Sequence, residues 1–112
     1  MNQHNPRSRK GPEKKIQEEI EEFLTKKGWL VVRTHGSMYQ SGFPDDYITH
    51  KYYGPKWVEI KNPKSYCFTP AQLKMFPKFC ANGAGVWVLV APTETEYLKI
   101  FGPANWWKYI KV

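Results

Sequence analysis

What the chain lacks narrows it first. It has 112 residues and two cysteines, Cys67 and Cys80. Neither sits in a His/Cys cluster at zinc-ligand spacing, and they read as free thiols suited to a reducing compartment. There is no glycine-rich phosphate loop, no nucleophilic Ser or Cys triad pattern and no internal repeat. No apolar run reaches the length of a membrane span. The N-terminus is polar and lacks the hydrophobic core of a signal peptide. These absences exclude nucleotide-loop, zinc-finger, triad-hydrolase and membrane-embedded classes, and the expectation is a cytoplasmic protein. The length allows one domain with one modest core, and five Trp, seven Tyr and six Phe supply much of its buried area.

Acidic side chains are the scarcer charge. Ten Asp and Glu face seventeen Lys and Arg, for a net charge of +7 and a pI near 9.4. That balance favours a polyanionic partner. Residues 1–11 carry Arg7, Arg9 and Lys10 without an apolar period and read as a disordered basic arm able to touch phosphates. Residues 12–112 read as a single domain.

Within that domain Pro12 opens a helix whose apolar residues Ile16, Ile20, Phe23 and Leu24 recur at helical spacing. Its many glutamates read as a solvated face that suits the helix dipole. Glu13 and Gln17 differ, since they lie on the apolar stripe. Trp29 to Thr34 is rich in bulky β formers and reads as a first strand. A polar loop with His35, Gly36 and Ser37 follows. Asp45 to Tyr52 and Lys56 to Lys61 read as two further strands. Thr69-Pro70-Ala71-Gln72 has the form of a helix start with a capping box, and Asn82-Gly83 ends that helix. Pro77 is expected to kink or tighten it. Gly85 to Ala91 is almost continuously apolar, as in an internal strand covered on both faces. Glu96 to Phe101 alternates and is expected to add one more strand, before a short helix starting near Pro103.

The chemistry concentrates between Gly42 and Lys61. Gly42-Phe43-Pro44-Asp45 delivers a carboxylate from a stiff corner. In Trp57-Val58-Glu59-Ile60-Lys61, period-2 alternation puts Glu59 and Lys61 on one face, with Val58 and Ile60 on the other. Two carboxylates with an ammonium beside them suit a hard divalent cation and a water. The register decides whether they meet. A two-residue turn at Gly54-Pro55 would carry Asp45 about five residues, roughly 16 Å, past Glu59. A wider loop or bulge centred nearer Tyr52-Tyr53 is therefore expected. Asp46 points to the opposite face from Asp45 in a regular strand and stays outside the site.

Pro44-Asp45 followed by Glu59-Ile60-Lys61 after thirteen intervening residues, then Thr69-Pro70-Ala71-Gln72, resembles the PD-(D/E)XK nucleases. Within them it is most similar to the virus-type replication-repair nuclease (VRR-NUC) family, as a stand-alone phage-like member, over roughly residues 13–101. The resemblance implies a restriction-endonuclease-like α/β core of order αβββαβ, with a mixed sheet flanked by helices and a C-terminal extension. It implies a Mg²⁺-dependent DNA endonuclease, with Mn²⁺ able to substitute. Asp45, Glu59 and the Ile60 backbone carbonyl would be metal ligands, and Lys61 would serve as catalytic lysine. Glu13 would reach back from the first helix to complete the site or bind a second metal, and Gln72 would position water, lysine or phosphate. Arg7, Arg9, Lys10, Arg33, His35, Ser37 and Lys64 are the expected nucleic-acid contacts. The implied substrate is branched DNA such as a four-way junction, cut by a homodimer. Trp106, Trp107, Tyr109, Tyr52 and Tyr53 offer surplus aromatic surface for its interface. The alternative is a catalytically silent DNA-binding module or a subunit of a larger replication assembly.

Overall fold

A computed structural model describes residues 11–34 and 41–110. The basic arm with Arg7, Arg9 and Lys10, and the loop residues His35 and Ser37, lie outside the described residues. The elements run α1 (Pro12–Lys26), β1 (Leu30–Arg33), β2 (Asp46–His50), β3 (Gly54–Ile60), α2 (Pro70–Ala81), β4 (Val86–Leu89) and α3 (Glu94–Leu98). Two 3₁₀ turns follow, Lys99–Phe101 and Trp106–Tyr109. The expected αβββαβ core and C-terminal extension are both present.

The four strands form one mixed sheet in the order β1-β2-β3-β4. The first three are antiparallel neighbours, and β4 runs parallel to β3 after the α2 crossover. Alternation along the strands divides the core. Ile48, Val58, Ile60 and Leu89 meet Ile20 and Leu24 of α1, together with Trp29, Tyr97 and Ile100. On the other face Val86 and Val88 pack with Phe76 of α2 and Trp106, joined by Trp57, Phe68 and Phe79. A basic chain of this size thus builds two apolar layers from one sheet, largely with aromatic rings.

The β2–β3 register follows the expected wider turn. Asp46 pairs with Val58 and His50 with Gly54, so Lys51, Tyr52 and Tyr53 form a three-residue loop centred on Tyr52. Gly54, at φ 75°, takes the left-handed position that such a loop requires. One step beyond Asp46↔Val58, the same register places Asp45 across from Glu59.

Three expectations are corrected. Glu96 to Phe101 is not a strand: Thr93 Oγ1 accepts a hydrogen bond from the Glu96 backbone N–H at 3.2 Å, and α3 starts there. Thr-x-x-Glu is itself a helix-start signature, and the buried residues Tyr97 and Ile100 are three apart, as in a helix. The strand β4 is covered on both faces as expected, yet it lies at the sheet edge rather than inside. Its outer edge is closed by a side chain: the Val88 N–H donates to Asn105 Oδ1 at 2.6 Å, and Asn105 Nδ2 donates to the Val88 carbonyl at 3.3 Å. Trp106 is buried in the core, which removes it from the surplus aromatic surface, whereas Trp107, Tyr52 and Tyr53 are exposed.

Candidate active site

The corner that delivers Asp45 is wedged under α2. Gly42 sits at φ 86°, and a Cβ there would lie 2.6 Å from the Ala71 carbonyl oxygen and 2.7 Å from Met75 Cγ. Only glycine fits that approach. Phe43 anchors the corner edge-on against Trp57 and Phe79. Thr34 then clamps the next two residues. Its hydroxyl donates to the Pro44 carbonyl at 2.7 Å, and its backbone N–H donates to the Asp45 carbonyl at 2.9 Å.

Asp45 and Glu59 are tied across the ladder by reciprocal bonds. The Asp45 N–H donates to Glu59 Oε1 at 3.0 Å, and the Ile60 N–H donates to Asp45 Oδ2 at 2.8 Å. Lys61 lies on the same face and forms an ion pair with Glu59 Oε2 at 2.9 Å. Its ammonium also donates to the Cys67 carbonyl at 2.8 Å and stands 4.6 Å from the Phe68 ring centroid. Gln72 completes the network. Its Nε2 donates to Glu59 Oε2 at 2.8 Å, while its Oε1 accepts from Lys61 at 3.3 Å and from the Thr69 N–H at 3.0 Å. The capping box is formed as well, so one glutamine both starts the helix and holds the lysine and glutamate. All four side chains are buried, and Glu59 is wholly so.

The remaining expected site residues scatter. Glu13 sits half-buried in the first turn of α1. Among the described residues no three His, Cys, Asp or Glu side chains form a metal-holding group, so Glu13 does not complete a carboxylate triad with Asp45 and Glu59. Lys64 is exposed on the loop after Lys61, with its backbone N–H bonded to Asn62 Oδ1. Arg33 is on the wrong side for the expected phosphate contact. It pairs with Asp46 in the register and therefore faces α1, where Glu21 grips its guanidinium at 2.7 to 2.9 Å.

That grip belongs to a second acidic cluster on the α1 face. Asp46 is completely buried. Burial, then the neighbouring Glu21 carboxylate, push its pKa up to about 10. Two ionised carboxylates offer each other only acceptors and would leave both Asp46 oxygens without a donor; carrying a proton, Asp46 donates to Glu21. Burial acts to raise the Glu21 pKa, but bonds from Arg33 and Asp46 outweigh it and hold Glu21 below the usual carboxylate range. Sequence reasoning took Glu21 for a solvated acid. The Asp45-Asp46 doublet was the available signal, since in a strand one of the two must enter the opposite core and find a partner.

Charge is divided between the two faces. Helix α1 carries five glutamates, Glu13, Glu18, Glu19, Glu21 and Glu22. From Ile60 to Thr93 the chain contains no Asp or Glu, and Lys64, Lys74 and Lys78 are exposed there. The face that carries Asp45, Glu59 and Lys61 is therefore the basic one.

No sequence family and no curated protein matches the chain. A solved structure described as "VRR_NUC domain" does match, with a TM-score of 0.64 and 25% identity, over 77% of this chain and 91% of that one. The mixed four-stranded sheet and its helices thus follow a known nuclease fold.

Proposed function

We propose that the chain, which matches a VRR_NUC domain structure at 25% identity over 77% of its length, is a nuclease of that family: a Mg²⁺-dependent DNA endonuclease that cuts branched DNA such as four-way junctions. The observation that carries this reading is the hydrogen-bonded set Asp45, Glu59, Lys61 and Gln72 on the basic face of the sheet.

The donor set fits the metal. Asp45 and Glu59 carboxylates with the Ile60 carbonyl are hard oxygen donors, and Mg²⁺ is usually held by one or two carboxylates plus waters and substrate phosphates. A third carboxylate is not required, which agrees with Glu13 standing apart. Bound there, Mg²⁺ would activate a water and neutralise charge developing on the phosphate. The chain's own residues do the positioning. The Ile60 and Asp45 N–H groups orient the two carboxylates toward each other. Gln72 and the Cys67 carbonyl hold the Lys61 ammonium beside Glu59, where it can hold the scissile phosphate or the attacking water. Burial excludes bulk water and strengthens each charge interaction. Lys64, Lys74 and Lys78, with no carboxylate between Ile60 and Thr93, favour approach of the DNA backbone from this side. Paired cuts across a junction need two sites, and this chain supplies one, so the acting species is a homodimer.

The test is a Mg²⁺ and Mn²⁺ cleavage panel over single-stranded, duplex, flap and four-way junction DNA, with Asp45→Asn alongside. Removing a ligand forfeits several kcal/mol of stabilisation. Each 1.4 kcal/mol or so is tenfold in rate, so a loss of at least about a hundredfold is expected. A folded Asp45→Asn protein with near-normal activity would defeat the assignment.

A further inference from the structure

The hairpin tip between β2 and β3 carries aromatic surface that the proposed active site does not use. Tyr53 lies flat on the buried Trp29, with ring centroids 6.0 Å apart and planes 20° from parallel. Yet Tyr53 is 54% exposed. One face of its ring is therefore covered and the other is open. Phe101, itself exposed, meets Tyr53 edge-on at 4.9 Å and extends the surface. The tip is braced from below. The Tyr52 N–H donates to His50 Nδ1 at 3.1 Å, and the His50 ring lies 4.6 Å from Tyr53 and 5.2 Å from Trp29. Gly28 approaches so closely that a Cβ there would fall 3.2 Å from His50 Nε2. The rings are thus held before any ligand arrives, and little side-chain freedom is left to lose on binding.

The charge around the tip is cationic. Residues 47–58 and 97–112 contain no Asp or Glu. The Lys51 ammonium stands 5.0 Å from the Tyr52 ring centroid. The Lys56 ammonium stands 4.5 Å from Trp87 and 5.9 Å from Phe101. Desolvation pulls the Lys56 pKa below the usual lysine value, and no carboxylate offsets it. The carboxylates on the flanking helices are already taken: Glu22 pairs with Lys26, Glu94 with Lys27 and Glu96 with Lys99.

From this geometry we infer that the hairpin tip binds unpaired nucleotides of single-stranded DNA, with a base stacked on the open face of Tyr53 and a neighbouring phosphate on Lys56. Stacking needs only a π face, and cations that follow the backbone complete such sites. The choice of DNA rests on the proposed nuclease reading. Tyr52 and Tyr53, expected at a dimer interface, have a polyanionic occupant instead. A twofold contact at this patch would set Lys51 and Lys56 against the same cations of a second copy.

The position of the tip says which substrate it selects. Tyr53 precedes Glu59 by six residues, roughly 20 Å along β3. Lys56 shares the sheet face of Val58 and Ile60, whereas Glu59 lies on the other face. Duplex DNA is stiff over about 50 nm and cannot fold round the hairpin from one face to the other. A single strand can. The site therefore favours a substrate whose strand leaves the duplex about six base-pair steps from the cut.

The experiment measures anisotropy of fluorescein-labelled single-stranded and blunt duplex DNA with the full chain carrying Asp45→Asn, and thermal melting of each variant. Tyr53→Leu should weaken single-strand binding about tenfold and Tyr53→Phe less than about twofold, because only the first removes the π face. Lys56→Gln should lower the log–log salt slope for the single strand by about 0.7, one phosphate. Duplex affinity should change less than about twofold in Tyr53→Leu. On tailed duplexes, protein with Asp45 intact should cut about six base pairs from the single-strand junction, and Tyr53→Leu should lose that preference. Unchanged single-strand binding in a folded Tyr53→Leu, or equal losses on single strand and duplex, overturns the site. So does light scattering in which Tyr53→Leu turns a dimer into a monomer, since the occupant is then a second copy. If wild type cuts no DNA while single-strand binding still depends on Tyr53, the tip site stands and the nuclease reading falls.

Discussion

Replacing Gln72 with alanine separates its two roles when Thr69→Ala is run beside it. Thr69→Ala deletes the hydroxyl that accepts from the Gln72 N–H at 3.1 Å and touches no other site group. Loss of such a cap costs about 1 kcal/mol. Gln72→Ala removes three bonds: to the Thr69 N–H, to the Glu59 carboxylate and from the Lys61 ammonium. The first is worth about 1 kcal/mol, and the bond to buried Glu59 about 1.5 to 3 kcal/mol. The long 3.3 Å contact to Lys61 adds little. The total is about 2.5 to 4 kcal/mol, which a domain with about 5 to 15 kcal/mol of stability survives. Urea unfolding followed by tryptophan fluorescence reads the stability difference, and single-turnover cleavage reads the site. Thr69→Ala should stay within a few-fold of wild-type cleavage. Gln72→Ala should fall at least about tenfold, since each 1.4 kcal/mol or so of misplacement at the reacting groups is a factor of ten. If the two variants match in both stability and cleavage, Gln72 is a cap and nothing more.

Gly42→Ala should cost at least about 2 kcal/mol, because it combines a left-handed backbone with a Cβ inside contact distance of Ala71; wild-type thermal stability in that variant would mean the corner is not pinned. Asp46→Asn should be more stable than wild type in a way that grows with pH. Native Asp46 keeps its proton up to about 10, whereas the unfolded carboxyl loses it near 3.9 or so, so wild-type stability is full below the unfolded pKa and falls as pH rises toward the folded one. Urea titrations between pH 5 and 9 check this, and a pH-independent difference refutes the protonated pair. With cleavage blocked by Asp45→Asn, duplex binding measured by anisotropy should weaken with salt at a log–log slope near −0.9 for each phosphate neutralised, and Lys74→Ala with Lys78→Ala should lower that slope by about one to two. An unchanged slope would move the DNA off the α2 side.

The division of the sheet into two chemistries follows from one dipeptide, and it shows what a sequence can disclose. Asp45 and Asp46 are consecutive, so the pleat sends one carboxylate to each face. That much is legible without a structure, as is the placement of Glu59 and Lys61 together, because period 2 is local. The Gln72 cap was legible as well, since helix caps are read within four residues; its place beside Lys61 and Glu59 was implied only by the family resemblance. The hairpin register was legible only by exclusion: the tightest turn would have separated Asp45 from Glu59, so the loop had to be wider. What stayed hidden depends on contacts between elements that no local period encodes. Glu21 looked like one more glutamate on a solvated helix until the crossing of α1 over β1 and β2 set it against Arg33 and Asp46. Arg33 looked available for phosphate until strand parity turned it toward α1. The C-terminal segment misled because alternation over a few residues resembles a strand, while the Thr93 cap decides for a helix. The two carboxylates of the doublet are thus held by different means: Asp45 by the Ile60 backbone N–H of the neighbouring strand, Asp46 by a proton shared with Glu21, which Arg33 holds in turn. Any shift of β2 along its axis moves both together, so the acidic cluster on the α1 face fixes the position of the strand that presents Asp45 to Glu59.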